Sequence, residues 1–128
     1  MFVFNLHNFY TMNILLVSKL LEDLKVKMKL WGIIFMDERA KNAKALSLLE
    51  ISPSDRKKII EGLLPEDYAE GPVPDKQFLG DDLWVFGKVV KQQEIYIKIS
   101  LGQPNKATIC VSFHVAEFPM KYPFKHKS

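Results

Sequence analysis

Cysteine is nearly missing from these 128 residues: Cys110 stands alone. No disulfide can close within the chain, and a reducing, cytoplasmic compartment is the expected setting. Histidine is almost as scarce. His7, His114 and His126 lie too far apart in sequence to form a local metal site, and no HExxH or Cys/His ligand spacing occurs. Neither GxxxxGK[ST] nor GxGxxG is present, which removes the usual phosphate-cradling loops. Long apolar runs are missing too. The opening MFVFNLHNFYTMNILLV is broken by Asn5, His7, Asn8 and Asn13, whereas a membrane span needs about 20 mostly apolar residues. It also lacks the basic start and small-residue cleavage site of a signal peptide. An upstream start codon is expected instead, with Met12 as the natural start and residues 1–11 poorly ordered or an accessory strand.

What remains is the composition of one globular domain, spanning 1–128. It is 48% hydrophobic, 12% aromatic and 26% charged. A chain of this length buries roughly two-thirds of its unfolded surface, so a core needs no metal or disulfide. The net charge of +3 is unevenly placed. Residues 88–128 hold Lys88, Lys91, Lys98, Lys106, Lys121, Lys125 and Lys127 against only Glu94 and Glu117. A local basic surface suits an anionic partner such as nucleic acid. Charge alone favours the plainer reading, a solubilising surface.

Leu16, Val17, Leu20, Leu21, Leu24, Met28 and Trp31 recur at steps of three and four, predicting a helix over about 13–30 that Gly32 ends. Ile33-Ile34-Phe35 is a short strand or a connector. Asp37 can cap a second helix with Ala43, Leu46 and Leu49 inward. Ser52-Pro53-Ser54-Asp55 starts a third, which Gly62 stops. Pro65 to Tyr68 adds a helical turn, and Gly71 to Asp75 reads as a rigid loop. The period then changes. Residues 83–90, 94–101 and 108–115 are rich in β-branched and aromatic residues and are joined by short polar turns, which predicts an antiparallel meander. Pro119 and Pro123 keep the tail irregular. The fold class is therefore α+β, with N-terminal helices on one face of a small antiparallel meander.

Alternation along the strands sorts side chains into faces. Ile95, Ile97 and Ile99 point one way, and Tyr96 and Lys98 the other. Ile109, Val111 and Phe113 point one way, and Cys110, Ser112 and His114 the other. With Leu83, Val85 and Val89 on the apolar face, Trp84, Phe86 and Lys88 join Tyr96, Lys98, Ser112 and His114. That mixture of phenol, imidazole, ammonium groups and rings suits a phosphodiester. Lysines stabilise developing charge, imidazole moves protons near neutral pH, and rings stack on unpaired bases. RNA brings its own nucleophile, the 2′-hydroxyl, so neither a metal nor a nucleophilic side chain is required. Plainer readings exist for each residue. Trp84 and Tyr96 also fit half-buried core aromatics, His114 a structural histidine, and Lys98 a solvated cross-strand charge. Cys110 fits a small buried hydrophobe. Ser112 and His114 share a face, but no acid completes a hydrolase triad.

The strings EDYAEGP, LWVFGK, IYIKI and ICVSFHVAEFPMKYPFK, with WGIIFMDERAKNAKAL before them, resemble the MqsR family of bacterial toxins, part of the RelE-like ribonuclease toxins. The likeness covers about residues 20–125, and SFHVAEFPMKYPFK is its most specific part. It implies an α+β, metal-independent endoribonuclease that cuts messenger RNA without a cofactor. It also implies a cognate protein antitoxin as partner, with no membrane and no DNA contact by the toxin itself. Tyr96 and Lys98 match the family's Tyr-x-Lys strand, and His114 stands where a catalytic lysine is expected. Glu70 stands where another lysine is expected, and Val85 where a glutamine is. The expected catalytic set is Tyr96, Lys98 and His114. Lys88, Trp84, Ser112, Glu117, Lys121 and Lys125 are expected to bind substrate, with Lys88 beside Lys98 on the phosphate and Glu117 orienting His114 or acting as base. A non-catalytic RNA-binding module and a protein-interaction subunit are the rival readings.

Overall fold

The structure, a computed structural model, describes residues 6–75 and 81–125. Its elements run α1 (Leu6–Trp31), β1 (Ile33–Phe35), α2 (Ala40–Leu49), α3 (Pro53–Glu61), a 3₁₀ turn (Pro65–Asp67), β2 (Tyr68–Val73), β3 (Leu83–Val90), β4 (Gln93–Ser100) and β5 (Thr108–Val115). The class is α+β. Among the described residues no helix is long and apolar enough to cross a membrane.

The helices form where local signals are strongest. In α1, Val17, Leu20, Leu21, Leu24 and Met28 are buried, while Leu16 and Trp31 at the ends of the expected stripe are exposed. Residues 6–11 continue this helix, contrary to the loose or strand-like segment expected there; the expectation for residues 1–5 lies outside the described residues. Helix α3 starts at the Ser52 cap read from sequence, and the structure closes it into a capping box. Ser52 Oγ accepts from Asp55 N, and Asp55 Oδ2 accepts from Ser52 N. Helix α2 departs from expectation. Its N-cap is Arg39, whose side chain makes no capping bond, and Asp37 is held instead by Arg56 through Nη1 at 2.6 Å and Nη2 at 2.9 Å. Asn42, Ala45 and Leu49 face inward; Ala43 is exposed and Leu46 only half-buried.

The expected meander is β3-β4-β5, but the sheet is larger and mixed. Its order is β1-β5-β4-β3-β2. β1 lies parallel to β5, which corrects the purely antiparallel expectation. β2 replaces the expected loop. Gly71 and Pro72 are tolerated because this is an edge strand whose pairing with β3 shifts register twice. β1 ends at Phe35, leaving the outer half of β5 without a strand on that side, and Asn42 stands in for one. Its Nδ2 donates to Val111 O and Met36 O, both at 2.9 Å, and its Oδ1 accepts from Phe113 N at 3.0 Å. The core lies between the helices and one sheet face, centred on Leu24, Met28, Phe86, Ile95, Ile97 and Phe113.

Candidate active site

The open face of the sheet follows from register, because residues opposite one another share a face. Tyr96 pairs with His114 and Lys98 with Ser112, so these four sit together as expected. The Tyr96 and His114 rings stack, with centroids 5.3 Å apart and planes 15° apart. Lys98 Nζ lies 5.7 Å from the Tyr96 ring centroid. His114 Nδ1 is 3.0 Å from Val115 O. A carbonyl only accepts, so Nδ1 carries a proton there and Nε2 is the nitrogen left for another partner.

Three expected members of the face are elsewhere. Trp84, Phe86 and Lys88 stand opposite Ile99, Ile97 and Ile95, and so belong to the helix-covered side. Lys88 Nζ binds Asp67 Oδ2 at 3.0 Å, and Trp84 packs against Tyr68. The open face receives Val85 and Gly87 in exchange. Leu83-Trp84-Val85-Phe86 is apolar at every position, so either face accepts it, and only the pairing with β4 decides. A bulge opposite Lys98/Ile99 likewise turns Cys110 inward in place of Val111. Cys110 is fully buried, and burial pushes its thiol well above the usual range. That is the expected small hydrophobe.

The tail walls this face at one end. Ala116 N donates to Glu94 O at 2.8 Å, Met120 N to Glu94 Oε1 at 3.0 Å, and Tyr122 Oη to Glu94 Oε2 at 2.7 Å. Burial and the Glu94 carboxylate push the Tyr122 phenol up. Tyr122 crosses directly over Gly87, where a Cβ would lie 2.2 Å from its Oη. Phe124 then returns to the core and stacks on Tyr68 at 5.1 Å.

Between tail and sheet is a cleft of about 380 Å³. Glu70, Val85, Tyr96 and His114 line its floor, and Phe118, Met120 and Lys121 its wall. Glu117 also borders it, but its carboxylate is ion-paired with Lys41 of α2, and that hydrogen bond holds it below the usual carboxylate range. That pairing makes it a poor base, and His114 Nδ1 has Val115 O rather than Glu117 as its partner. Lys125 does not line the cleft; its ammonium rests 5.2 Å from the Tyr122 ring centroid. Ser112 is buried beside Arg39, whose Nη1 donates to Val111 O at 3.2 Å and lies 3.5 Å from Ser112 Oγ.

Arg39 and Lys41 therefore bring two cations that no local signal in the sequence linked to the meander. Glu70 enters as the register partner of Val85. Among the described residues no group of three or more His, Cys, Asp and Glu side chains could hold a metal ion; His7 and His126 lie outside the described side chains. Compared with protein-family models, curated proteins and solved structures, the chain matches none.

Proposed function

We propose that this chain is an endoribonuclease acting on messenger RNA, the toxin of a type II toxin–antitoxin pair of the MqsR, RelE-like kind. The observation that carries the reading is the stacked Tyr96–His114 pair beside Lys98 in an open cleft. RNA supplies the attacking group. The 2′-oxygen bonds to phosphorus as its proton passes to the Glu70 carboxylate. The P–O5′ bond breaks, and His114 Nε2 gives a proton to the departing 5′-oxygen. The products are a 2′,3′-cyclic phosphate and a free 5′-hydroxyl. Lys98 and the free N–H groups of Arg39 balance charge on the phosphate oxygens. Tyr96 orients the 2′-hydroxyl, and Lys121 receives a neighbouring phosphate. Lys88, Trp84 and Lys125 have no part in this scheme.

The resemblance to MqsR expects a lysine where Glu70 stands and a glutamine where Val85 stands. These positions are register partners on the cleft floor. Glu70, together with His114 where the resemblance expects a catalytic lysine, therefore changes the chemistry of the cleft itself, moving the base to a carboxylate and the acid to an imidazole. General acid–base help of this kind is worth about 10²–10⁴-fold.

The test is expression of wild type and His114→Ala in cells, following growth and RNA integrity. Wild type arrests growth and fragments messenger RNA, and co-expression of the cognate antitoxin relieves both. His114→Ala does neither. Equal growth and intact RNA with the wild type contradict the reading.

A further inference from the structure

Phe118 is the most solvent-exposed of the large apolar side chains described, at 79%. A lone exposed apolar residue is ordinary in itself. This one lines the same cleft as Tyr96 and His114, and its main chain is fixed. On one side Ala116 N is bonded to Glu94 O; on the other Met120 N is bonded to Glu94 Oε1. Glu117 next to it is tied to Lys41. Pro119 follows it, which confines the Phe118 backbone to the extended region. The ring is thus carried by an anchored segment while the side chain stays largely open to water.

With the backbone already fixed, ordering when a flat partner lies on the ring is confined to the side chain itself. The surroundings select that partner. Glu70 and Glu117 also line the cleft, Glu117 already paired with Lys41, while Lys121 there and Lys98 and Arg39 farther along the open face supply the cationic side, so the occupant carries an anionic group as well as a planar ring. A cleft of about 380 Å³ falls at the small end of ligand pockets. A single nucleotide of an unpaired strand meets these conditions. A base-paired one does not, because its face is already stacked within the duplex.

Building on the ribonuclease reading, we infer that Phe118 is a stacking platform for one unpaired nucleobase flanking the scissile phosphate, so that the cleft selects single-stranded RNA. The platform is a binding element and moves no proton.

A fluorescent single-stranded oligonucleotide made wholly of 2′-O-methyl nucleotides tests this, since it keeps its bases but lacks the attacking hydroxyl. Binding by wild type, Phe118→Ala and Phe118→Tyr is measured with the intact strand and with one abasic site moved along it. Phe118→Ala weakens binding about 5- to 150-fold, the range for loss of one stacked base, and Phe118→Tyr stays within about twofold of wild type. One abasic position weakens wild type by the same factor and weakens Phe118→Ala no further. Unchanged melting of Phe118→Ala shows that the loss is not unfolding. If wild type cleaves unmodified RNA yet Phe118→Ala binds as tightly as wild type, or every abasic penalty persists in it, the platform is refuted and the ribonuclease reading stands. If wild type neither binds nor cleaves RNA, both fall.

Discussion

Replacing Gly87 by alanine should break the fastening between tail and sheet. The added Cβ would lie 2.2 Å from Tyr122 Oη and 2.8 Å from its Cε1 and Cζ. Contacts that short do not occur, so Tyr122 must leave its place over the strand. With it goes the 2.7 Å bond to Glu94, a hydrogen bond to a charged group worth about 1.5–3 kcal/mol. Alanine returns about 0.5–1 kcal/mol by restricting the unfolded chain more than glycine does. The net loss is about 1–2 kcal/mol, or roughly 4–8 °C in Tm for a chain of this size. A double-mutant cycle read by urea melts isolates the cause. In a Tyr122→Ala background the obstruction is gone, and Gly87→Ala should then be neutral or stabilising. If Gly87→Ala costs as much in that background as in wild type, the account of the tail is wrong. If the single variant is as stable as wild type, the crossing of Tyr122 over Gly87 is not the contact described.

Other consequences follow from the supports of the site. Asn42→Ala leaves Phe113 N without its partner and removes one of two donors from each of two carbonyls, Met36 O keeping Arg39 N and Val111 O keeping Arg39 Nη1; at about 1–3 kcal/mol for a buried group left unsatisfied, a loss of about 1–3 kcal/mol is expected in urea melts. The Arg56 guanidinium, over the Phe35 ring at 3.9 Å, holds the Asp37 carboxyl below its ordinary range. Asp37 therefore contributes stability that is present above its unfolded pKa of about 3.9 and lost as pH falls through its lower folded value. Asp37→Asn should be less stable than wild type at neutral pH, with the gap closing below about pH 4. Because Asp37 is 45% exposed, the neutral-pH gap should sit at the low end of the roughly 1.5–3 kcal/mol for bonds to charged groups.

How much of this was legible in the sequence depended on whether the deciding contact was local. The Ser52 cap of α3 and the middle of the α1 stripe are written within a few residues and appear where the pattern placed them, while Leu16 and Trp31 at the ends of the stripe are exposed. Tyr96, Lys98, Ser112 and His114 were legible as one face because IYIKI and VSFHV alternate cleanly. The alternation fails at Leu83–Phe86, and Trp84 and Lys88 were misplaced with it. β1 is three residues long and finds β5 some 75 positions away, beyond any periodicity. Glu70 was named only through the resemblance, and its place in the sheet was hidden by the neighbouring Gly71 and Pro72, which read as a loop. Arg39 and Lys41 reach the site only because Asn42 docks α2 on the bare edge of β5.

The most direct test of the central claim is incubation of the purified chain with single-stranded RNA in excess chelator, followed by end-group analysis. The account predicts fragments ending in 2′,3′-cyclic phosphate and beginning with a 5′-hydroxyl, with a rate that falls about 10²–10⁴-fold in His114→Ala. Intact RNA, fragments with 5′-phosphate ends, or an undiminished rate in His114→Ala would contradict it.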